Sequence, residues 1–211
     1  MGVEKTFRIA VLASGRGSNF VALATAIKKG IIPNAEIISL ISNKKSAMAI
    51  EHAENLHVPV RLIQSSKFKK DGKPDREAYE AVLIRTLEEL NPDWICLAGY
   101  MLVLGKKVVE RFAGKIINIH PSLLPLFRGL HATAQALEAG ASETGCTVHF
   151  VTEGLDDGPI ILQNKVRVEA ADTDETLSQR LLPIEHATYV EALRRLCSQK
   201  FEIKNDKVLF Y

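Results

Sequence analysis

No apolar stretch of this 211-residue chain is long enough to cross a bilayer. The longest run, "WICLAGYMLVLG" from Trp94 to Gly105, is well short of the roughly 20 residues a spanning helix needs. The N-terminus "MGVEKTFRIAVLASG" lacks a signal-peptide layout. Its first six residues match the loose M-G-x-x-x-[ST] acylation pattern, which anchors a protein only with a second signal or a polybasic run. Cysteine is scarce: Cys96, Cys146 and Cys197 are far apart, odd in number and without a CxxC pair. That excludes a disulfide framework and predicts reduced, structural thiols in a cytosolic protein. No His/Cys cluster has metal-ligand spacing. A dominant charge of one sign is missing too, with 27 Lys and Arg against 25 Asp and Glu interspersed, for a net charge of +2. The balance leaves no nucleic-acid footprint, although a small basic pocket for a phosphate stays open.

What is present is 46% apolar content, enough to bury the core of one domain over residues 1–211. Phe7 to Ala13 is a nearly continuous apolar run, as expected of a parallel strand covered on both faces. From Ser18, Phe20, Val21, Leu23, Ala24 and Ile27 follow the helical period, and Gly30 marks a stop. "AEIISLIS", "VPVRLIQ", "DWICLAG" and "KIINIHP" read as further strands; "SAMAIEHAENLH", "PDREAYEAVLIRTLEEL" and "KKVVERFAG" read as helices between them. This alternation predicts an α/β fold with a doubly wound, mostly parallel sheet and a Rossmann-like N-terminal half. After Pro121 come a loop, a helix around "TAQALEAG", the strands "TVHFVT" and "IILQNKVRV", a helix from about Asp174 to Ser198, and a hairpin around Asn205-Asp206. "KFKKDGKPD", Lys67 to Asp75, reads as a flexible loop.

The turn "SGRGSN", Ser14 to Asn19, ends the first strand and opens the first helix. A dinucleotide fingerprint is excluded because Phe20 stands where the third glycine should be, and "LISNKK" lacks the acidic residue for a ribose. No G-K-[ST] follows, so it is not a P-loop. Two readings remain: a tight turn capped by Ser18, or a cradle in which Gly17 and Ser18 amides and the Asn19 side chain hold one phosphate at the helix dipole.

Asn118 and His120, in "KIINIHPSLLP", share one face of a strand while Ile117 and Ile119 face the other way. Buried and unpaired, each would cost on the order of 1–3 kcal/mol, so they need partners or a wet cleft. A satisfied core histidine is the plainer reading of His120. However, ligands of open α/β sheets sit beyond the carboxyl ends of strands, and "EGLDDGP", Glu153 to Pro159, supplies carboxylates on a turn after another strand. An amide, an imidazole and a carboxylate there suit a reaction that develops an oxyanion and moves a proton.

Taken together, "LASGRGSN", "LAGYMLVL", "INIHPSLLP" and "GCTVHFVTEGLDDGPIILQ" resemble the phosphoribosylglycinamide formyltransferases, the folate-dependent family of purine biosynthesis, from about Phe7 to the end of the C-terminal helix. The N-I-H-P-S-L-L-P stretch is shared across the wider formyl-transfer superfamily, whereas the S-G-x-G-S-N turn and the chain length narrow the resemblance. The extra C-terminal domain of methionyl-tRNA formyltransferase and the extra N-terminal domain of formyltetrahydrofolate hydrolase have no counterpart in these residues. The resemblance implies one formyltransferase domain, with a phosphate-binding half over about 7–115 and a catalytic and folate-binding half over about 116–211. It implies a cytoplasmic transferase of one-carbon metabolism with small-molecule substrates, 10-formyltetrahydrofolate as formyl-donor cosubstrate, no metal, no nucleic acid or membrane partner, and a monomeric or homodimeric state.

Residue by residue, the resemblance gives Asn118, a protonated His120 and Asp156 the catalytic roles, with a carboxylate raising the histidine's pKa. Gly17, Ser18 and Asn19 would take the ribonucleotide phosphate, and Glu185, in the segment Leu182, Pro183, Ile184, Glu185, its ribose end. Met101, Leu102, Val103 and Leu104 would read the pterin largely through backbone, and Thr152, Glu153, Gly154, Leu155 and Asp156 would close over it beside Asn118. Arg76 would pair with the folate's glutamate tail. Leu102, where the family often has arginine, Leu182 and Pro183, and Asp157 depart from the family pattern; Asp157 reads as a solvated turn residue. His52, His57 and His186 read as structural or solvated, Cys146 as a packed thiol, and His131 and His149 have no assigned role. Hydrolysis of the formyl donor, a non-catalytic folate or nucleotide-phosphate binding module and, distantly, a dehydrogenase are the rival expectations.

Overall fold

The structure, a computed structural model, describes residues 5–211. Residues 1–4 of the acylation pattern lie outside the described residues. The chain divides into two compact units between Ile116 and Ile117.

The first unit is built on β1 (Phe7–Ala13), β2 (Ala35–Ser42), β3 (Val60–Leu62) and β6 (Trp94–Leu97), all parallel, in the order β3-β2-β1-β6. Between them run α1 (Ser18–Lys28), α2 (Met48–Asn55), a 3-10 turn (Ser65–Lys67), a hairpin of β4 (Lys69–Lys70) and β5 (Lys73–Pro74), and α3 (Arg76–Leu90); α4 (Lys106–Arg111) follows β6. Right-handed crossovers step outward from β1 to β3 through α1 and α2, then return past β1 to β6 through α3. With right-handed crossovers this reversal places α3 on the opposite face from α1 and α2 and makes the β1/β6 junction the topological switch point, the place where open α/β sheets bind ligands. The α/β, doubly wound reading of this half is therefore correct. The pattern is stable because β1 is buried from Ile9 onward and Phe20, Leu23, Leu83 and Leu87 are fully buried. Each such side chain contributes about 1.5–3 kcal/mol.

The segment read as a flexible loop, Lys67 to Asp75, is instead ordered as the β4/β5 hairpin. Asp71 and Gly72 both have positive φ (51° and 76°). That is the geometry a two-residue hairpin loop demands and an Asp-Gly pair supplies. Asp75 then caps α3, its Oδ1 accepting from the Ala78 N–H at 2.9 Å.

The second unit contains β7 (Ile116–His120), α5 (Ala132–Glu138), β8 (Glu143–Phe150), β9 (Ile160–Arg167), α6 (Asp174–Ser198), β10 (Phe201–Lys204) and β11 (Lys207–Phe210). Its strands are mixed: β7, β8 and β9 pair antiparallel, β11 joins β9 in parallel, and β10 pairs antiparallel with β11 across Asn205 and Asp206. β8 begins at Glu143, ahead of the "TVHFVT" read from alternation, because Gly145 lets it lie against β9; a Cβ there would meet Asn164 O at 2.1 Å. α6 starts in a capping box of Thr173 and Thr176 and packs on β8 and β9, with the Tyr189 O–H donating to Ile117 O at 3.2 Å.

Gly17, at φ 78°, is the N-cap of α1, and Ser18 is the first helical residue, so the expected Ser18 cap is corrected to a glycine one. A Cβ at Gly17 would lie 2.6 Å from the Ala49 Cβ of α2. Gly30, also at positive φ (72°), has open space around it. Gly17→Ala is therefore expected to cost more in urea unfolding than Gly30→Ala, which carries only the backbone penalty of about 1–2 kcal/mol. Equal midpoints for the two variants would contradict the close approach of α1 and α2.

Candidate active site

In the second unit, β7 and β8 place four polar side chains on one face. The antiparallel register sets Asn118 opposite His149 and His120 opposite Thr147, and cross-strand partners in such a ladder point the same way. The inferred need of Asn118 and His120 for partners is met here. His149 Nδ1 lies 2.8 Å from Phe150 O, an acceptor only, so Nδ1 carries the proton. His149 Nε2 lies 3.2 Å from the Asn118 amide nitrogen. His149, unassigned in the sequence, is thus the cross-strand partner of Asn118; the alternation of Thr147 and His149 in "TVHFVT" was the available signal.

His120 is 4% exposed. Its Nε2–H donates to Phe127 O at 2.8 Å, and its Nδ1 lies 3.4 Å from Asp156 Oδ2. Phe127 sits at φ 54° in the loop after β7. That loop is tied down by Leu124 N–H to Thr147 Oγ1 (3.1 Å), Gln163 Nε2–H to Leu124 O (2.9 Å) and Gln135 Nε2–H to Leu130 O (2.9 Å). Burial holds the His120 pKa below its ordinary value, outweighing the Phe127 carbonyl and the Asp156 carboxylate, which favour the imidazolium; His149 adds to the lowering. The expected raising of the His120 pKa by a carboxylate is thus outweighed, because the ring is buried deeply enough for desolvation to dominate.

Asp156, at φ 48° on the turn after β8, aims both oxygens at this group. Oδ2 accepts from the Gly129 N–H at 2.9 Å, and Oδ1 lies 3.7 Å from His149 Nε2. Burial pushes its carboxyl up, but His149, the Gly129 N–H and His120 together hold it below the ordinary range. Asp157 turns away: its Oδ1 accepts from Thr152 Oγ1–H at 2.5 Å, and its carboxylate occupies the space a Cβ at Gly154 would need. Thr152, Glu153, Gly154 and Leu155 are exposed around this turn.

On α6, Leu182, Ile184 and Glu185 are half-buried and Pro183 is exposed within the helix. The Thr188 hydroxyl donates to Ile184 O at 2.6 Å, and the Cys146 thiol beside it is pushed up to about 11 by burial, with the Glu185 charge contributing. Cys146 is thus a packed, unreactive thiol.

In the first unit, the turn after β1 meets the loop after β6. Ser14 N–H donates to Gly99 O at 3.1 Å, Ser14 Oγ–H to Asn43 Oδ1 at 2.6 Å, and Met101 N–H to Ser14 Oγ at 2.9 Å. Ser14 thereby ties the turn after β1 both to Asn43 and to the start of the Met101–Leu104 loop, a link that no local pattern reveals. Met101 and Val103 are exposed, Leu102 is half-buried and Leu104 is buried. Arg76 is exposed but engaged, its Nε–H donating to Glu80 Oε1 at 2.7 Å and its Nη2–H to Val103 O at 2.6 Å. Among the described residues no group of His, Cys, Asp or Glu is placed to hold a metal, and no helix is long and apolar enough to cross a membrane.

Residues 7–193 match the family described as Formyl transferase. Phosphoribosylglycinamide formyltransferase of Bacillus subtilis (strain 168) is 41% identical over 189 residues, covering 90% of this chain and 94% of that protein. The trifunctional purine biosynthetic protein adenosine-3 of Drosophila pseudoobscura pseudoobscura is 45% identical over 194 residues, covering 90% of this chain but 14% of that protein. The chain thus spans only a small part of such trifunctional relatives. The crystal structure of glycinamide ribonucleotide transformylase 1 from Symbiobacterium toebii superposes with a TM-score of 0.91 at 40% identity, covering 97% of this chain and 94% of that one.

The electrostatics of the second unit give an ordering that an NMR titration of histidine checks. His120 is expected to titrate below the ordinary histidine value, lower still in Asp156→Asn, and unchanged in Asp157→Asn. A larger effect from Asp157 would contradict the geometry. Because the folded His120 pKa is lowered, the unfolded chain binds this proton first as pH falls. His120 should therefore cost stability progressively from about pH 6.5 downward.

Proposed function

The chain belongs to the formyl transferase family, and from that membership we propose that it transfers the formyl group of 10-formyltetrahydrofolate to the amine of glycinamide ribonucleotide. The products are formylglycinamide ribonucleotide and tetrahydrofolate, within de novo purine biosynthesis in the cytoplasm. The donor is a cosubstrate, used up in each turnover. The observation that carries the reading is the convergence of Asp156 and His120 at 3.4 Å in the unit where the Asn118 amide lies 3.2 Å from His149 Nε2.

Attack of the amine on the formyl carbon forms one C–N bond and leaves an oxyanion on carbon and an extra proton on the attacking nitrogen. Breaking the C–N bond to the folate requires a proton on the leaving nitrogen. One proton moves from one nitrogen to the other, and none is consumed. A neutral imidazole suits that exchange better than a permanently protonated one. His120 takes the proton at Nδ1, where Asp156 Oδ2 faces the imidazolium, and returns it to the leaving nitrogen. An Asn118 N–H donates to the oxyanion. Gly17, Ser18 and Asn19 at the start of α1 hold the phosphate, whose charge the helix N-terminus favours, and Glu185 meets the ribose end. Met101 to Leu104, Thr152 to Asp156 and Arg76 serve the folate.

His120→Ala is expected to lower kcat by about a hundred- to ten-thousandfold, and Asn118→Ala by about a hundred- to a thousandfold, with ribonucleotide affinity nearly retained in both. Wild-type-like turnover in either variant would remove the assigned role. The function itself is tested by following 10-formyltetrahydrofolate by absorbance with and without glycinamide ribonucleotide. Consumption is expected only with the ribonucleotide; consumption without it, releasing formate, would assign hydrolysis instead.

A further inference from the structure

Three glutamates of α3 face α4. Glu77 pairs with Lys107, and Glu88 Oε1 accepts from Arg111 Nε–H at 2.6 Å, both on the exposed surface. Such pairs contribute little. Glu80 is different, with a side chain only 11% exposed. Its Oε1 accepts from the Gly105 N–H at 2.8 Å and from Arg76 Nε–H at 2.7 Å, and Arg76 passes the restraint on through Nη2–H to Val103 O at 2.6 Å. One carboxylate thus fixes two backbone groups at the downstream end of the Met101–Leu104 loop, while Ser14 fixes the upstream end at the Met101 N–H.

Between these anchors the apolar side chains of Met101 and Val103 stand 55% and 62% exposed. Leu102 supplies no charge or hydrogen bond. Recognition of a polar heterocycle by this loop therefore depends on where its backbone N–H and C=O groups lie. Space at Gly105 is reserved for the same contact: a Cβ there would lie 2.3 and 2.6 Å from the Glu80 oxygens, and its φ is ordinary. Burying a carboxylate is unfavourable unless it is paired and bonded, and an apolar residue would pack as well. What the carboxylate adds is a definite position for the backbone it holds.

We propose that Glu80 is a positioning residue for the formyl donor: through Gly105 and the Arg76–Val103 link it holds the Met101–Leu104 backbone where the pterin binds. This rests on the transfer reading above. It also gives Arg76 a role in shaping the loop, independent of any contact with the glutamate tail.

The test is steady-state kinetics of Glu80→Ala, Glu80→Gln and Gly105→Ala, with 10-formyltetrahydrofolate and with a donor truncated at the pteroyl group. Glu80→Ala is expected to raise the donor KM about tenfold, the size of one lost charged hydrogen bond. The ribonucleotide KM and kcat should stay within about threefold. The defect should persist with the truncated donor. Gly105→Ala should reproduce it and add nothing in the Glu80→Ala background, as coupled neighbours do. An unchanged donor KM, or equal rises for both substrates, overturns the proposal. A defect that vanishes with the truncated donor also overturns it, since Glu80 would then serve only the tail contact of Arg76. If Glu80→Ala does not fold, Glu80→Gln and Gly105→Ala carry the same comparison. Absence of ribonucleotide-dependent transfer in the wild type would instead remove the functional reading.

Discussion

A carbonyl oxygen accepts a hydrogen bond and never donates one, so the 2.8 Å contact between Phe127 O and His120 Nε2 dictates which ring nitrogen carries the proton. The proton arrangement at His120 follows from that constraint. Nδ1 is left as the basic nitrogen, and it faces Asp156 Oδ2 rather than water. The same logic gives His149 an Nδ1 proton bonded to Phe150 O. Two backbone carbonyls thereby each hold one imidazole proton before any substrate arrives. Such preorganisation is what an oxyanion-stabilising site requires.

The balance at His120 is one of opposing effects, and their relative size decides the chemistry. Burial lowers the pKa; the Phe127 carbonyl and Asp156 raise it; burial wins. A ring held neutral can take a proton from an attacking amine and then give it up easily, because the imidazolium is not overstabilised. A ring held charged by a stronger ion pair would be a poor acceptor. Asp156 keeps its carboxyl below the ordinary range through His149 and the Gly129 N–H despite partial burial, so it is available when the imidazolium forms.

How much of this could be read from the chain alone depends on the range of each interaction. The parallel strands of the first unit were legible because each is a short apolar run bounded by turns, and the Asn118–His120 pair because a strand repeats every two residues. His149 was not, since its place opposite Asn118 depends on an antiparallel register between distant segments. Asp156 was singled out from Asp157 by resemblance, and the physical distinction lies in a backbone φ of 48° and a Thr152 hydroxyl that claims Asp157. The direction of the His120 shift was not legible, because proximity to a carboxylate can be guessed from sequence while depth of burial cannot. The hairpin at Lys67 to Asp75 is a different case: its Asp-Gly signature was present, but the surrounding lysines suggested only solvent. Arg76 and Glu80 look like an ordinary helix-surface pair until their backbone partners at Val103 and Gly105 are known.

Nitrogen-15 NMR of the imidazole at pH 7 reads the proton placement on His120. A neutral ring with the proton on Nε2 is the result this account requires. An imidazolium at that pH, or a neutral ring protonated on Nδ1, would contradict it, because either state would leave Asp156 and Phe127 in different roles from those the geometry gives them.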